Sequence, residues 1–233
     1  MTRISTTLTG KSLPDKIAYY IVRTILLVFC RLWCRMQVKG RENFPTDEPF
    51  IMAPTHRSII DTPVSSGVYT RRMRFMGADK WWSNKAFGKL LTALGGFPVS
   101  RGTADREALK RCIAVLEGGE PLVMFPEGER KSGAVVQPLF EGAAYVAMKT
   151  GAPIVPVAIG GSERVMPKGA KFIWPRKMYV IVGQPMRVPI VAEADGSKAQ
   201  RNAAKQLTLD LHAELQRLFD TAQERSGSPV RAS

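Results

Sequence analysis

The sequence predicts an α/β fold: a largely parallel or mixed sheet flanked by helices, preceded by an amphipathic helix near the amino terminus. Three observations carry this expectation. Beyond Gly40, short apolar runs alternate with helical patterns, which is how strands joined by helical crossovers read. Glycines close those helical stretches at Gly95-Gly96, Gly118-Gly119 and Gly151, where a left-handed residue ends a helix without a Cβ clash. Polar, chemistry-bearing residues then follow the apolar runs directly, as they do at the carboxyl ends of strands in open α/β sheets. A chain of 233 residues, 45% apolar and 23% charged, can bury a core of its own without disulfide staples.

Residues 17–36 read as a helix of about 20 residues, long enough to cross a bilayer on length alone. No small-residue cleavage site follows and Arg23 interrupts the apolar core, so a signal peptide is not expected. A span would bury Arg23 at a cost of a few kcal/mol, and a helix packed on the domain core with its charges solvated is the other alternative. Lys16, Arg23, Arg31 and Arg35 fall on one arc, and Tyr19, Val22, Ile25, Leu26, Phe29, Leu32 and Trp33 on the opposite one. A basic stripe beside a broad apolar face suits a helix lying in the plane of a membrane. Residues 1–40 are therefore expected to form a membrane-associating segment, residues 41–225 a single α/β domain that carries the chemistry described below, and residues 226–233 a disordered tail.

Within the domain, residues 50–53 form a strand candidate, and Asp61-Thr62-Pro63 resembles a cap with an early proline opening a short helix. Residues 74–77 are a weak strand, 84–94 a helix, and 97–99 a short strand. Residues 104–117 are helical, 122–125 extended, and 140–150 helical. The β-rich runs 154–159 and 178–182 follow. Residues 198–219 form an amphipathic helix with Leu207, Leu211, Leu215 and Leu218 on one face.

The formal net charge of +14 points to an anionic partner: nucleic acid, a membrane surface or a phosphorylated substrate. No nucleic-acid-binding motif accompanies it. The three cysteines have no metal-ligand spacing and read as small apolar residues in a reducing compartment. No metal or cofactor is expected.

The chemistry concentrates in two stretches. In Thr55-His56-Arg57-Ser58-Ile59-Ile60-Asp61, a histidine leaves a strand candidate and an acid follows five residues later. On one continuous helix the two would diverge by ~140°, so the pair works only if His56 lies in a strand–helix turn and Asp61 at the helix start. Asp61 would then hold Nδ1 and leave Nε2 as a general base. In Phe125-Pro126-Glu127-Gly128-Glu129-Arg130, another strand candidate delivers a carboxylate, a glycine and an arginine into a loop. No serine nucleophile elbow is present, so a covalent serine intermediate is disfavoured. Trp81, Trp82, Phe87, Leu90, Leu91 and Leu94 can line an acyl groove, face a membrane or pack in the core. His212 reads as a surface histidine.

From Gly40 to Pro185 the chain resembles the glycerophospholipid acyltransferase family, best known through 1-acyl-sn-glycerol-3-phosphate acyltransferases. Thr55–Asp61 matches the His-x4-Asp block, Gly95-Gly96-Phe97-Pro98-Val99-Ser100-Arg101 the second block, Phe125–Arg130 the third, and Ile154-Val155-Pro156-Val157-Ala158-Ile159 the fourth. The resemblance implies a catalytic dyad of His56 and Asp61, with Lys80, Arg101 and Arg130 contacting the acceptor's phosphate. It also implies that Glu127 and Gly128 shape the pocket, Glu127 hydrogen-bonding substrate hydroxyls or arginine side chains. The chain departs from the pattern at Glu129, where threonine is common, and at Ser100, where an acid often stands. The implied reaction moves a fatty acyl group from acyl-CoA or acyl carrier protein to a lysophosphatidate-like hydroxyl in phospholipid biosynthesis. Glycerol-3-phosphate or a glycolipid as acceptor, or thioester hydrolysis, are the alternatives. The expected setting is the cytoplasmic face of the cell membrane, with anionic lipids as partners and no nucleic acid.

Overall fold

The structure, a computed structural model, describes residues 12–99, 106–188 and 198–230. Among these, strands β1 (Gln37–Lys39), β2 (Ile51–Pro54), β3 (Arg74–Ala78), β4 (Gly96–Val99), β5 (Leu122–Val123), β6 (Ile154–Gly160) and β7 (Tyr179–Val182) form one sheet. Its order is β1-β7-β6-β2-β5-β3-β4, and every pairing is parallel except β6 with β7. The helices are α1 (Leu13–Leu32), α2 (Asp61–Val68), α3 (Lys85–Ala93), α4 (Arg106–Glu117), α5 (Gly142–Thr150), α6 (Ser162–Val165) and α7 (Lys198–Ser226). The expected α/β architecture is present, with β1 and α6 added and α7 continuing past residue 219.

The alternation of side chains along each strand builds two cores. Ile51, Ala53, Leu122, Ile154, Ala158 and Ile181 point to one face, where α4, α5 and α7 bury Cys112, Val115, Ala144, Ala147, Leu211, Leu215 and Phe219. Met52, Val123, Val155, Val157, Val180 and Val182 point to the other, against Cys30, Cys34, Ile60, Val64 and Val68 of α1, α2 and their flanks. Strands covered on both faces must be apolar throughout, which is why β6 reads as an unbroken run rather than an alternating one.

This arrangement has a consequence at the carboxyl edge. Neighbouring strands β2 and β5 send their chains to opposite faces, β2 into α2 and β5 into α5. The carboxyl ends of these two strands, where the crossovers part to opposite faces, are the usual position of a binding site in an open α/β sheet.

Helix α1 starts at Ser12, whose side chain and that of Asp15 form a capping box. It docks differently from expectation. Arg23, placed on the outward basic stripe by the sequence, turns inward: Nε donates to the Ser66 carbonyl at 2.9 Å and Nη2 to the Tyr69 carbonyl at 2.5 Å. These are carbonyls at the end of α2, left without amide partners and carrying the negative end of its dipole. Tyr19, expected on the outward apolar face, is buried, and its oxygen accepts the Met73 N–H at 3.1 Å. Burial pushes the Tyr19 phenol above its ordinary range. The apolar residues left outside are Leu13, Ile17, Ile21, Ile25, Val28 and Leu32, spaced at helical intervals. No helix among the described residues is long and apolar enough to cross a membrane.

The carboxyl end also differs from expectation. Ser226 and Ser228 are buried rather than part of a loose tail: the Ser228 N–H and the Ser226 hydroxyl both donate to the Gln223 carbonyl, at 2.9 and 2.8 Å. Small hydroxyl side chains can satisfy the last turn of a helix from within, which composition does not reveal. Residues 231–233 lie outside the described residues.

Candidate active site

The turn between β2 and α2 is built around one carboxylate oxygen. Asp61 Oδ2 accepts the Arg57 N–H at 2.6 Å and the Ser58 N–H at 2.7 Å, and lies 3.1 Å from His56 Nδ1. Asp61 is thus the first residue of α2 rather than its cap, and its side chain folds back over the preceding turn. The turn wraps the acid tightly enough that Asp61 is 0% exposed. A carboxylate is an acceptor only, so the His56 Nδ1 facing it carries a proton and Nε2 is the basic nitrogen. The imidazole stacks on the Phe125 ring, with centroids 4.0 Å apart and planes 24° apart. Contact with the acid and the ring fixes both rotation and tautomer. His56 remains 9% exposed, and Nε2 has no partner among the described residues.

Glu127 points into the protein. It is 0% exposed, and both oxygens are engaged within the protein. Oε2 accepts the His56 N–H at 3.1 Å and Arg57 Nη1 at 2.6 Å, and Oε1 accepts the Gln137 N–H at 2.9 Å. Of the two roles the sequence left open, contact with an arginine is the one present, and the arginine is Arg57. Arg57 is itself 2% exposed and donates to the carbonyls of Gly133 and Val135, both at 3.0 Å, while stacking over Phe219 of α7. Sequence reasoning passed over Arg57. The available signal was a cation beside the histidine and an acid in the neighbouring strand's loop, two charges that a buried site must pair.

Gly128 closes the turn that begins at Phe125, its N–H donating to the Phe125 carbonyl at 3.0 Å. It sits at φ +73°, and a Cβ there would lie 2.6 Å from the Phe140 ring, so both backbone and space require glycine. The chain then returns to the His56 turn, where the Lys131 N–H donates to the His56 carbonyl at 2.9 Å. Arg130, half-buried, lies between these attachments, and among the described residues no carboxylate pairs with it. Glu129, where the sequence departs from the family pattern, pairs with Lys131 Nζ at 2.8 Å.

Lys80 is exposed in a single 3-10 turn, Asp79–Trp82, beyond the end of β3, with its ammonium 5.5 Å from the Trp81 ring centre. Since β5 separates β2 from β3, Lys80 follows a strand about 10 Å along the edge from the one carrying His56, at ~4.8 Å per strand. Arg101 lies outside the described residues. The strand leading to it, β4, is next beyond β3. Of the aromatic and aliphatic cluster, Trp81, Phe87 and Leu90 are exposed, whereas Trp82 is half-buried against Gly77, Gly88 and Gly96. His212 is half-buried and bonded to the Val136 carbonyl through Nε2 at 2.9 Å, so it is not the free surface histidine expected.

These contacts join a restrained imidazole with one open nitrogen to an arginine-bearing loop, at a strand edge where two chains diverge. Residues 35–160 match the family model described as Acyltransferase. The chain is 31% identical over 169 residues to the 1-acyl-sn-glycerol-3-phosphate acyltransferase of Bacillus subtilis, covering 72% of this chain and 82% of that one. Its likeness to the corresponding plastid enzyme LPAT1 of Arabidopsis thaliana is 28% over 158 residues, and there it spans only 44% of the relative's length. A crystal structure of the 1-acyl-sn-glycerophosphate acyltransferase from Thermotoga maritima superposes with a TM-score of 0.64 over 88% of this chain and 84% of that chain, at 22% identity, and so shares the fold. The strand–turn–helix that holds His56 against Asp61, and the β5 loop bonded to it, both fall inside the matched segment, and the chain belongs to the acyltransferase family.

Proposed function

We propose that this protein transfers a fatty acyl group from an acyl thioester, acyl-CoA or acyl carrier protein, to the free hydroxyl of a lysophosphatidate-like acceptor. His56 is the general base: Nε2 takes the hydroxyl proton as the acceptor oxygen attacks the thioester carbonyl. The tetrahedral intermediate then collapses, the C–S bond breaks, and the imidazolium returns its proton to the departing thiolate. Asp61 stabilises that imidazolium and holds the ring through Nδ1. No acyl-enzyme is formed, since the acceptor is itself the nucleophile. Arg130, with Lys80 farther along the edge and with Arg101 by the family resemblance, takes the acceptor's phosphate; guanidinium groups suit this because they donate two parallel charged hydrogen bonds. The observation that carries the reading is the 3.1 Å contact between His56 Nδ1 and Asp61 Oδ2, which leaves Nε2 as the free base.

The apolar stripe from Leu13 to Leu32 along α1 supports a monotopic attachment, with the helix lying in the interface of the cytoplasmic leaflet and the domain outside it. Lipid substrates would then reach the carboxyl edge from the headgroup layer, and high salt would weaken the hold of the basic surface.

The test is an acceptor panel with purified protein: lysophosphatidate, glycerol-3-phosphate and a glycolipid, each with acyl-CoA and with acyl carrier protein. Lysophosphatidate should be the preferred acceptor, and His56→Ala should lower turnover by about 10²–10⁴-fold with its melting temperature retained. Thioester consumption that needs no acceptor would make the protein a hydrolase instead.

A further inference from the structure

Residues 166–177, between α6 and β7, differ in composition from their surroundings. They contain Lys168, Lys171, Arg176 and Lys177 with no acid among them, interleaved with Phe172 and Trp174. The two aromatic rings meet edge to face with centroids 5.0 Å apart, yet are 53% and 49% exposed. Among the described residues no carboxylate pairs with Lys168, Lys171 or Arg176. Arg164, Pro167, Trp174 and Arg176 line an open hollow of about 330 Å³.

The loop is strapped down at both ends. The Ser58 hydroxyl of the catalytic turn donates to the Met166 carbonyl at 2.7 Å, and the Trp174 N–H to the Val165 carbonyl at 2.8 Å. At the far side, Trp33 Nε1 donates to the Ile173 carbonyl at 2.8 Å and Arg35 Nη2 to the Pro175 carbonyl at 3.2 Å. Trp33 directly follows Leu32, the last residue of the outward stripe of α1, which is 77% exposed. The exposed aromatics of the loop therefore continue the apolar surface of α1 and ring it with unpaired cations.

We infer that residues 166–177 form a second bilayer-contacting element, in which Lys168, Lys171 and Arg176 hold anionic phospholipid headgroups while Phe172 and Trp174 enter the interface. Charge complementarity selects an anionic surface, and exposed aromatic residues partition to the headgroup level of a bilayer. Continuity with the stripe on α1 selects a membrane over a soluble polyanion, which would leave the aromatic tips in water. Two contacts, one along α1 and one at the loop, fix the tilt of the domain. Because the loop is bonded to Ser58, that tilt sets how the His56 turn meets the headgroup layer. This last consequence rests on the acyltransferase reading; the lipid contact does not.

The experiment is co-sedimentation of the full chain with phosphatidylcholine vesicles and with vesicles containing phosphatidylglycerol, alongside acyl transfer to a detergent-dispersed acceptor. At roughly fivefold per cation near an anionic surface, the Lys168→Ala/Lys171→Ala/Arg176→Ala protein should partition about 100-fold more weakly onto anionic vesicles. It should change little on neutral vesicles. Phe172→Ser/Trp174→Ser should weaken binding to both. All variants should keep the wild-type melting temperature and detergent-phase activity. Wild-type partitioning by both variants would overturn the inference, and equal loss on neutral and anionic vesicles by the cation variant would overturn its assignment to anionic headgroups. A chain that binds anionic vesicles through this loop but transfers no acyl group would remove the proposed activity and leave the lipid contact standing.

Discussion

Replacing Glu127 separates a residue that binds substrate from one that builds the site. In Glu127→Leu the side chain keeps its approximate bulk, but the Arg57 guanidinium, 2% exposed, loses its carboxylate at 2.6 Å. Removing one partner of a buried ion pair costs about 3–5 kcal/mol, because the remaining charge stays out of water. For a chain of this length, each kcal/mol lowers the melting temperature by about 2–4 °C, so a fall of roughly 6–20 °C is expected. Turnover should fall as well. The His56 N–H loses its acceptor, and a shift of about 1 Å in a reacting group costs on the order of 10²-fold. The KM for the acceptor should move much less than kcat. Arg57→Met/Glu127→Leu removes both charges at once and should be less destabilised than the sum of the single variants by about 1–3 kcal/mol. It will not reach wild type, since the Gly133 and Val135 carbonyls lose their donor. Thermal melting and steady-state kinetics on the four proteins complete the cycle. A Glu127→Leu protein that melts within ~2 °C of wild type and differs only in KM would refute the reasoning and return Glu127 to the substrate.

Four further outcomes follow from contacts elsewhere in the structure. Asp61→Asn should preserve an acceptor for the Arg57 and Ser58 amides but lose the charge opposite the imidazolium, lowering kcat by about 10²–10⁴-fold with modest destabilisation. Asp61→Ala should also leave those amides unpaired, at about 1–3 kcal/mol each, which melting will resolve from the asparagine variant. Gly128→Ala should destabilise by about 1–2 kcal/mol from the left-handed backbone alone, plus a steric share that Phe140→Ala relieves in the double variant, read by denaturant unfolding. Arg23→Ala should loosen α1 from α2 by about 1–2 kcal/mol, seen as faster amide exchange in α1 and the last turn of α2 while β2 and β6 keep their protection.

The periodicities made most of the scaffold legible. Apolar runs and glycine stops marked most of the strands and helices, because burial on both faces of a sheet and a left-handed helix end each demand a residue type that a reader can see. The expected turn at His56 and helix start at Asp61 were readable for a related reason: only that local geometry brings residues five apart into contact. What the sequence did not reveal depends on partners distant in the chain. Arg23 looked like a solvent-facing charge, since nothing in residues 17–36 announces that α2 will bring its bare terminal carbonyls alongside. Glu127 stood between a substrate hydroxyl and an arginine until the neighbouring strand placed Arg57 and the His56 amide within reach of its Oε2. A sequence fixes how a side chain is spaced along its own element. Which face meets the core, and whether a charge is spent inside the protein or offered to a ligand, is decided only when strands β2 and β5 lie side by side.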